Sequence, residues 1–445
     1  MKKILLLLFP FLITIFLFHY FLVGQAVYGD GIYYWSYVRS LYIDHNLTLN
    51  DEISHHYDHL HNNTNIKDVI PKEDAARIAL EYHLPFGPSA SWLPFFAIGD
   101  GIARIVHIYN PGIVLNGYSD IYQISVGIGN IVYILSGLYV VFLFLKKYFS
   151  EKTASITTLL LLFTTNLLYY GSWDVINSHP FSFFLSSVVV YFFFCKFTYK
   201  WYQWILLGGL VGGLVLTRTQ EVVFGILLLI GLIQYWVSTK NTVKKKVIRI
   251  LLFGLLGICG MGIIVLPQLL LLQFVYHGIL NSPYILSGGF TFLRPHIMGV
   301  LINSKTGLLF TSPSILIGLG GLFILACKKS FVGIVGVTIF LLAYYIIASW
   351  LFWDQAASYG IRMLISTFPL VAVGLGVIVE KLVKKFSLKM LYIFGFILFI
   401  FNCAMIVRFH LLVKTATFDA ASVTRIVAQE KLNQLFHTHL TFFKD

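Results

Sequence analysis

ILLLLFPFLITIFLFHYFLV, residues 4–23, runs twenty residues without a charge; two residues later comes AVYGDGIYYWSY, residues 26–37. At about 1.5 Å per residue, a helix over the first stretch is about 30 Å long, the thickness of a bilayer's hydrocarbon core. Just beyond it a lone carboxylate, Asp30, stands between Gly29 and Gly31 among five aromatic rings. The first stretch sets the fold class. The second poses the functional question, because a charge at a membrane edge is costly unless something receives it.

Runs of this kind recur along the 445 residues, which are 58% apolar and only 11% charged, with a mean hydropathy of +0.81. Water-soluble domains carry about 25% charged residues, so most of this surface is not meant for water. The reading is an all-α polytopic membrane protein with about eleven transmembrane helices, over residues 4–23, 121–145, 154–170, 180–195, 203–217, 222–237, 248–270, 307–326, 331–350, 362–379 and 388–407. A secretory h-region is shorter, about 7–15 residues, so residues 4–23 read as an uncleaved first span. Residues 1–407 form the membrane module and 408–445 a short polar tail. Residues 24–120 form a large first external loop, and 271–306 a second. Within the first loop, residues 91–106 are apolar but hold Pro94, Asp100 and Arg104, and read as a helix in the interface plane. Gly208, Gly209, Gly212 and Gly213 make two interleaved GxxxG pairs, a signature of close helix packing. Cys195, Cys259, Cys327 and Cys403 lie in or beside apolar runs with no metal spacing, as buried thiols do.

Charge orients the chain. With the N-terminus in the cytoplasm, 18 of the 32 basic residues fall in short inside loops, the positive-inside pattern. Of the acids, only Glu151 and Glu380 fall inside, and every His lies outside or in the outer half of a span. Acids contribute little to insertion, so their bias points to chemistry on the external face, although long wet loops also collect polar residues. The net charge of +13 sits mainly in the inside loops, where anionic lipid balances it; no nucleic-acid partner is implied.

Several outer corners carry residues that are expensive at that depth. Asp30 follows the first span, Arg218 and Glu221 sit between two apolar runs, and Arg362 follows Asp354 in one corner. His179 precedes Pro180, and Arg294 and Lys305 flank the eighth span. Singly, each has a plain structural explanation: a turn pairing, a corner salt bridge, a helix cap or a snorkelling lysine. Together they set a carboxylate beside several cations at one depth. Guanidinium forks match phosphate oxygens, and a carboxylate can take a proton from an attacking hydroxyl.

In their order and side, these pieces resemble the GT-C superfamily of integral-membrane glycosyltransferases, which includes protein O-mannosyltransferases and the aminoarabinose transferase of lipid A. They are GDGIYY at 29–34, PFGPSASWLPFF at 85–96, NSHPFS at 177–182, GLVLTRTQ at 213–220, SKTGLLFTSP at 304–313 and SYGIR at 358–362. The resemblance implies a GT-C-like bundle, a polyprenyl-phosphate-linked sugar donor, an external site in the cell membrane and inversion at the anomeric carbon. Asp30 matches the family's essential first-loop Asp. Arg218, Arg362, Lys305, Arg294 and His179 become candidates for the donor phosphate. Tyr33, Tyr34, Trp92, His83 and Asp44 become candidates for the sugar or an envelope acceptor. Many relatives carry Asp-Glu where this chain has Asp30-Gly31, so a second acid would come from Asp44, Asp51 or Glu52. Metal use varies in the superfamily, and no ligand cluster here points to one. A flippase of lipid-linked sugars or a non-catalytic membrane scaffold is the alternative.

Overall fold

The structure, a computed structural model, describes residues 1–47, 49, 51, 52, 55, 85–279, 289–355 and 358–412. Among them there is no strand beyond an isolated bridge between Phe290 and Trp350. The protein is an all-helical, multi-pass membrane protein. Among the described residues, eight helical segments are long and apolar enough to cross a bilayer: Lys2–Leu22, Asp120–Leu145, His179–Lys196, Thr219–Ser238, Val243–Phe274, Phe331–Ser349, Arg362–Lys385 and Leu388–His410. Two apolar helices, Trp201–Thr217 and Pro313–Cys327, are shorter.

The expected span over 154–170 is broken. It forms a helix Glu151–Phe163, then a separate turn of helix Leu167–Ser172. Thirteen residues reach only about 20 Å, less than a hydrocarbon core. The break lies at Thr164-Thr165-Asn166, all buried, and several of the freed backbone groups find partners across the bundle. Asn402, from the last helix, donates to the carbonyls of Phe163 at 3.0 Å and Thr165 at 2.9 Å. Ser312 Oγ accepts from the Asn166 amide at 3.0 Å, and Thr164 Oγ1 meets Ser314 Oγ at 2.6 Å. Irregular backbone at membrane depth survives only where protein satisfies it.

Close glycine contacts set the helix spacing. A Cβ on Gly208 would fall 1.9 Å from the carbonyl oxygen of Gly257, and one on Gly212 would fall 2.7 Å from that of Met261. The second interleaved pair is split: a Cβ on Gly209 would lie 3.7 Å from the Gly260 carbonyl oxygen of the same helix, Val243–Tyr276, whereas Gly213 meets Leu185. Gly321 and Gly374 bring helices Pro313–Cys327 and Phe368–Lys385 equally close. The Arg362–Lys385 segment is 83% buried, whereas Val243–Phe274 is 17% and Leu388–His410 11% buried. The first therefore runs through the centre of the bundle and the other two face lipid.

The helix expected over 91–106 in the interface plane starts earlier, at Gly87, and runs to Tyr109. It packs antiparallel along the first half of Asp120–Leu145: Tyr133 Oη donates to the Ser91 carbonyl at 2.9 Å, Trp92 Nε1 to Asn130 Oδ1 at 3.0 Å, and Gly99 lies against Tyr122 and Ser125. Small residues permit that approach. Asp100 is neutralised locally by Arg104 Nε at 2.7 Å and Tyr122 Oη at 2.7 Å. Of the tail, 413–445 lies outside the described residues, as do His83 and most of 48–84.

Asn402 also accepts from Tyr359 Oη at 3.0 Å, so one buried amide ties three segments. Asn402→Leu should destabilise the protein by about 2–3 kcal/mol, since it strands two carbonyls and a hydroxyl. A lowered thermal midpoint of the detergent-solubilised protein checks this.

Candidate functional site

The chain leaves its first helix through Gly24, turns, and re-enters helix at Asp30–Arg39. The glycines around Asp30 have separate reasons. Gly29 adopts φ +56°, a left-handed conformation that side chains disfavour. Gly31 lies so near the corner before His179 that a Cβ would fall 2.5 Å from the carbonyl oxygen of Ile176. One glycine makes the turn; the other admits a neighbouring loop.

Asp30 thus opens a ten-residue helix whose residues Gly31 to Val38 are all buried. Its carboxylate sits at the positive end of that helix dipole and contacts Arg362: Nη2 and Oδ2 are 2.9 Å apart. Arg362 reaches it because Gly360, at φ +68°, turns the chain tightly against Thr311 and Asn166. The corner salt bridge open to Arg362 with its neighbour Asp354 is not the one formed; the partner is 332 positions away.

The loop admitted by Gly31 carries Asp174, which the sequence reading did not single out. Asp174 lies within Coulombic range of both Arg362 and Asp30. Burial pushes its carboxyl up to about 7, Arg362 pulls it down, Asp30 adds to the rise, and a bond from Asn177 opposes it. Tyr28, Tyr169 and Tyr170 stand within range of Asp174 as well. The acids proposed to complete the site lie elsewhere: Asp44 and Glu52 both bind Arg39, at 2.5 and 3.0 Å. The only sequence signal for Asp174 was a single acid in a short apolar corner.

Arg218 follows helix Trp201–Thr217 in extended conformation, which turns its side chain back into the protein. It is 4% exposed. Its Nη1 donates to Ser178 Oγ at 2.6 Å and lies 3.4 Å from His179 Nε2. His179 is in Coulombic range of both Arg218 and Arg362, so the two guanidinium groups lie near one ring. Glu221 does not pair directly with Arg218; its carboxylate accepts from Ser182 Oγ. Among the described residues, Arg218 Nε, Arg362 Nε, His179 Nδ1 and Glu221 Oε2 are buried without hydrogen-bond partners. Buried donors in folded proteins are otherwise met by water or ligand, so the two guanidinium groups have unused donor capacity for an anion, while Glu221 Oε2 is an unmet acceptor.

The remaining candidates separate from this centre. Tyr34 is buried and lies in range of Arg362, and Tyr33 is buried beside it. Trp92 is fully buried, edge-on to Tyr34 at 5.8 Å and bonded to Asn130; it has no face open to a sugar and belongs to the core. Lys305 and Arg294 are exposed. Lys305 shares a small recess with Arg408 and Phe409, and no described contact joins either cation to Asp30. Asp44, held by Arg39, is likewise drawn away from the centre. Their corners share an end of the bundle with Asp30, but sequence position does not say which way a side chain reaches.

Below the site, an apolar groove of about 400 Å³ opens between the first helix, Glu151–Phe163 and the last helix, lined by Phe11, Leu160, Phe163, Gly395, Phe396 and Phe399. Asn402 bonds the carbonyl of Phe163, which lines the groove, and also receives Tyr359, three residues before Arg362. Among the described residues, no three His, Cys, Asp or Glu side chains converge as metal ligands. No protein-family model, curated protein or solved structure matches the chain; the chemistry is read from the site itself.

Two outcomes follow. Asp174 has an ordinary value of 3.8 and a folded value near 7. A raised folded value stabilises fully below the ordinary one, and that stabilisation is lost as pH rises through about 7. The thermal midpoint of the wild-type protein should therefore fall between about pH 5 and 8 by more than that of Asp174→Asn. Gly31→Ala should lower the midpoint at every pH, because its methyl group meets the Ile176 carbonyl in both ionisation states of Asp174.

Proposed function

We propose that this protein is a GT-C-type glycosyltransferase that moves a sugar from a polyprenyl-phosphate donor to a cell-envelope acceptor. In this reading the N-terminus is cytoplasmic and the site lies on the external face of the cell membrane. One observation carries the proposal: an acid at the end of the first span touches a guanidinium contributed by a distant segment, while a second, buried guanidinium keeps donor capacity free.

Asp30 takes the proton of the acceptor hydroxyl as its oxygen attacks the sugar C1. The bond from C1 to the phosphate oxygen breaks, and its electron pair leaves on the lipid phosphate. Arg362 and Arg218 stabilise that developing charge, His179 lies near both, and Asp174 and the Tyr28–Tyr169–Tyr170 group face the sugar's hydroxyls. The apolar groove supports the reading by offering room for part of an isoprenoid chain.

The test is release and transfer of labelled sugar from polyprenyl phosphate by the protein in membranes. Asp30→Asn should fold normally and lose about 10²–10⁴-fold in turnover. Arg218→Met should lose about 10²–10³-fold, the cost of one donor to a developing anion. Full turnover by Asp30→Asn would sink the proposal, and so would passage of donor across the bilayer with no bond cleaved.

A further inference from the structure

The helix that begins with Asp30 passes after Arg39 into a π-helical turn, Ser40–Asp44, and at that junction Arg39 is anchored more heavily than a surface arginine requires. Arg39 Nε donates to the Asn116 carbonyl at 2.8 Å. Its Nη1 contacts Asp44 at 2.5 Å and Glu52 at 3.0 Å. The guanidinium plane lies over the Tyr118 ring, 4.4 Å from its centroid. Gly117 makes room, since a Cβ there would come within 3.0 Å of Arg39 Cγ. Glu52 is fully buried, so its contact with Arg39 is not a solvated surface pair, whose worth would be small; Asp44 is exposed and adds little.

Between the two charged ends the helix is enclosed. Ser89 Oγ donates to the Tyr34 carbonyl at 2.9 Å, Trp35 packs on Phe96 at 5.4 Å, and Gly31 abuts Ile176. A carboxylate at the start and a guanidinium at the end also suit the helix dipole. The α-helical part is a short rod about 14 Å long, gripped at its start by Arg362 and at Arg39 by the Glu52 carboxylate, the Tyr118 face and the Asn116 carbonyl. Asp44 lies on the same helical run and steadies the Arg39 side chain only.

We propose that Arg39 is a positioning residue: it anchors the far end of this rod and so fixes where Asp30 meets Arg362. Its bearing on turnover rests on the glycosyltransferase reading; the anchoring itself does not. Arg39 touches no reacting group, and it acts by preventing the helix from sliding or rotating along its axis.

Hydrogen exchange and turnover of the full chain in nanodiscs test this with Arg39→Met, Arg39→Lys and the near-isosteric Glu52→Gln, with Asp30→Asn for comparison. Arg39→Met should exchange the amides of residues 31–38 at least about tenfold faster, with Arg39→Lys intermediate and helix Val243–Tyr276 unchanged, as local rather than global opening requires. With labelled polyprenyl-phosphate sugar, kcat should fall about 10–100-fold while KM for the donor holds within about twofold, as for misplacement of a group that acts only in the transition state. Asp30→Asn should lose turnover without faster exchange at residues 34–38. Wild-type exchange in both Arg39→Met and Glu52→Gln would overturn the anchor, whatever the turnover. If Arg39→Met does not fold, Arg39→Lys and Glu52→Gln decide by the same exchange readout. An absence of turnover in the wild-type protein would count against the glycosyltransferase reading alone, because exchange does not depend on any substrate.

Discussion

Opposite charges from residues 30 and 362 meet at 2.9 Å, and the architecture at that end of the bundle is arranged to let them. Left alone, either group would be costly near a bilayer, by about 2.5–3.5 kcal/mol at the centre on insertion scales. The pair is half-buried, with the Asp30 side chain 31% exposed, so water screens it and losing one partner costs less than in a fully buried pair. Gly29 and Gly360 take left-handed turns so that both chains can bend toward the contact. Gly31 lets the Asp174 corner close over it. The pair therefore joins the turn after the first helix to the start of the most buried segment of the bundle.

Around that contact lies a polar layer set on an apolar body. Arg362 balances Asp30 and attracts Asp174, and His179 lies near both Arg362 and Arg218. Arg218 has Ser178 and His179 for company but no direct carboxylate, although Glu221 is three residues on. A buried cation whose neighbouring acid is turned to Ser182 suits an anionic ligand. The same layer is anchored from below by Asn402, which repairs a helix break and holds Tyr359. The helix repair and the corner before Arg362 share one amide.

The helix break and the glycine seams show how polar groups are handled in this membrane fold. Thr164, Thr165 and Asn166 would be liabilities within a continuous span, yet here they bond to Ser312, Ser314 and the last helix. Gly208 and Gly212 give up side chains so that two backbones approach within contact distance. Neither device needs a functional explanation; both follow from the absence of water to satisfy backbone groups.

Composition and run length by themselves determined that this is an all-helical membrane protein, because about twenty apolar residues are the minimum that spans hydrocarbon. They also marked Asp30, Arg218, His179 and Arg362 as conspicuous, since charge and polarity at span ends are expensive wherever the chain goes. Tertiary structure alone decided which of them meet. It joined residue 30 to residue 362, brought in Asp174 from a corner with no motif, sent Asp44 and Glu52 to Arg39, and buried Trp92 against Asn130. It also split the 154–170 run, whose hydropathy is continuous while its Thr-Thr-Asn centre finds partners only across the bundle. The reason is one of dimension: hydropathy is a property of each segment along the chain, whereas pairing is decided by which helix ends pack side by side.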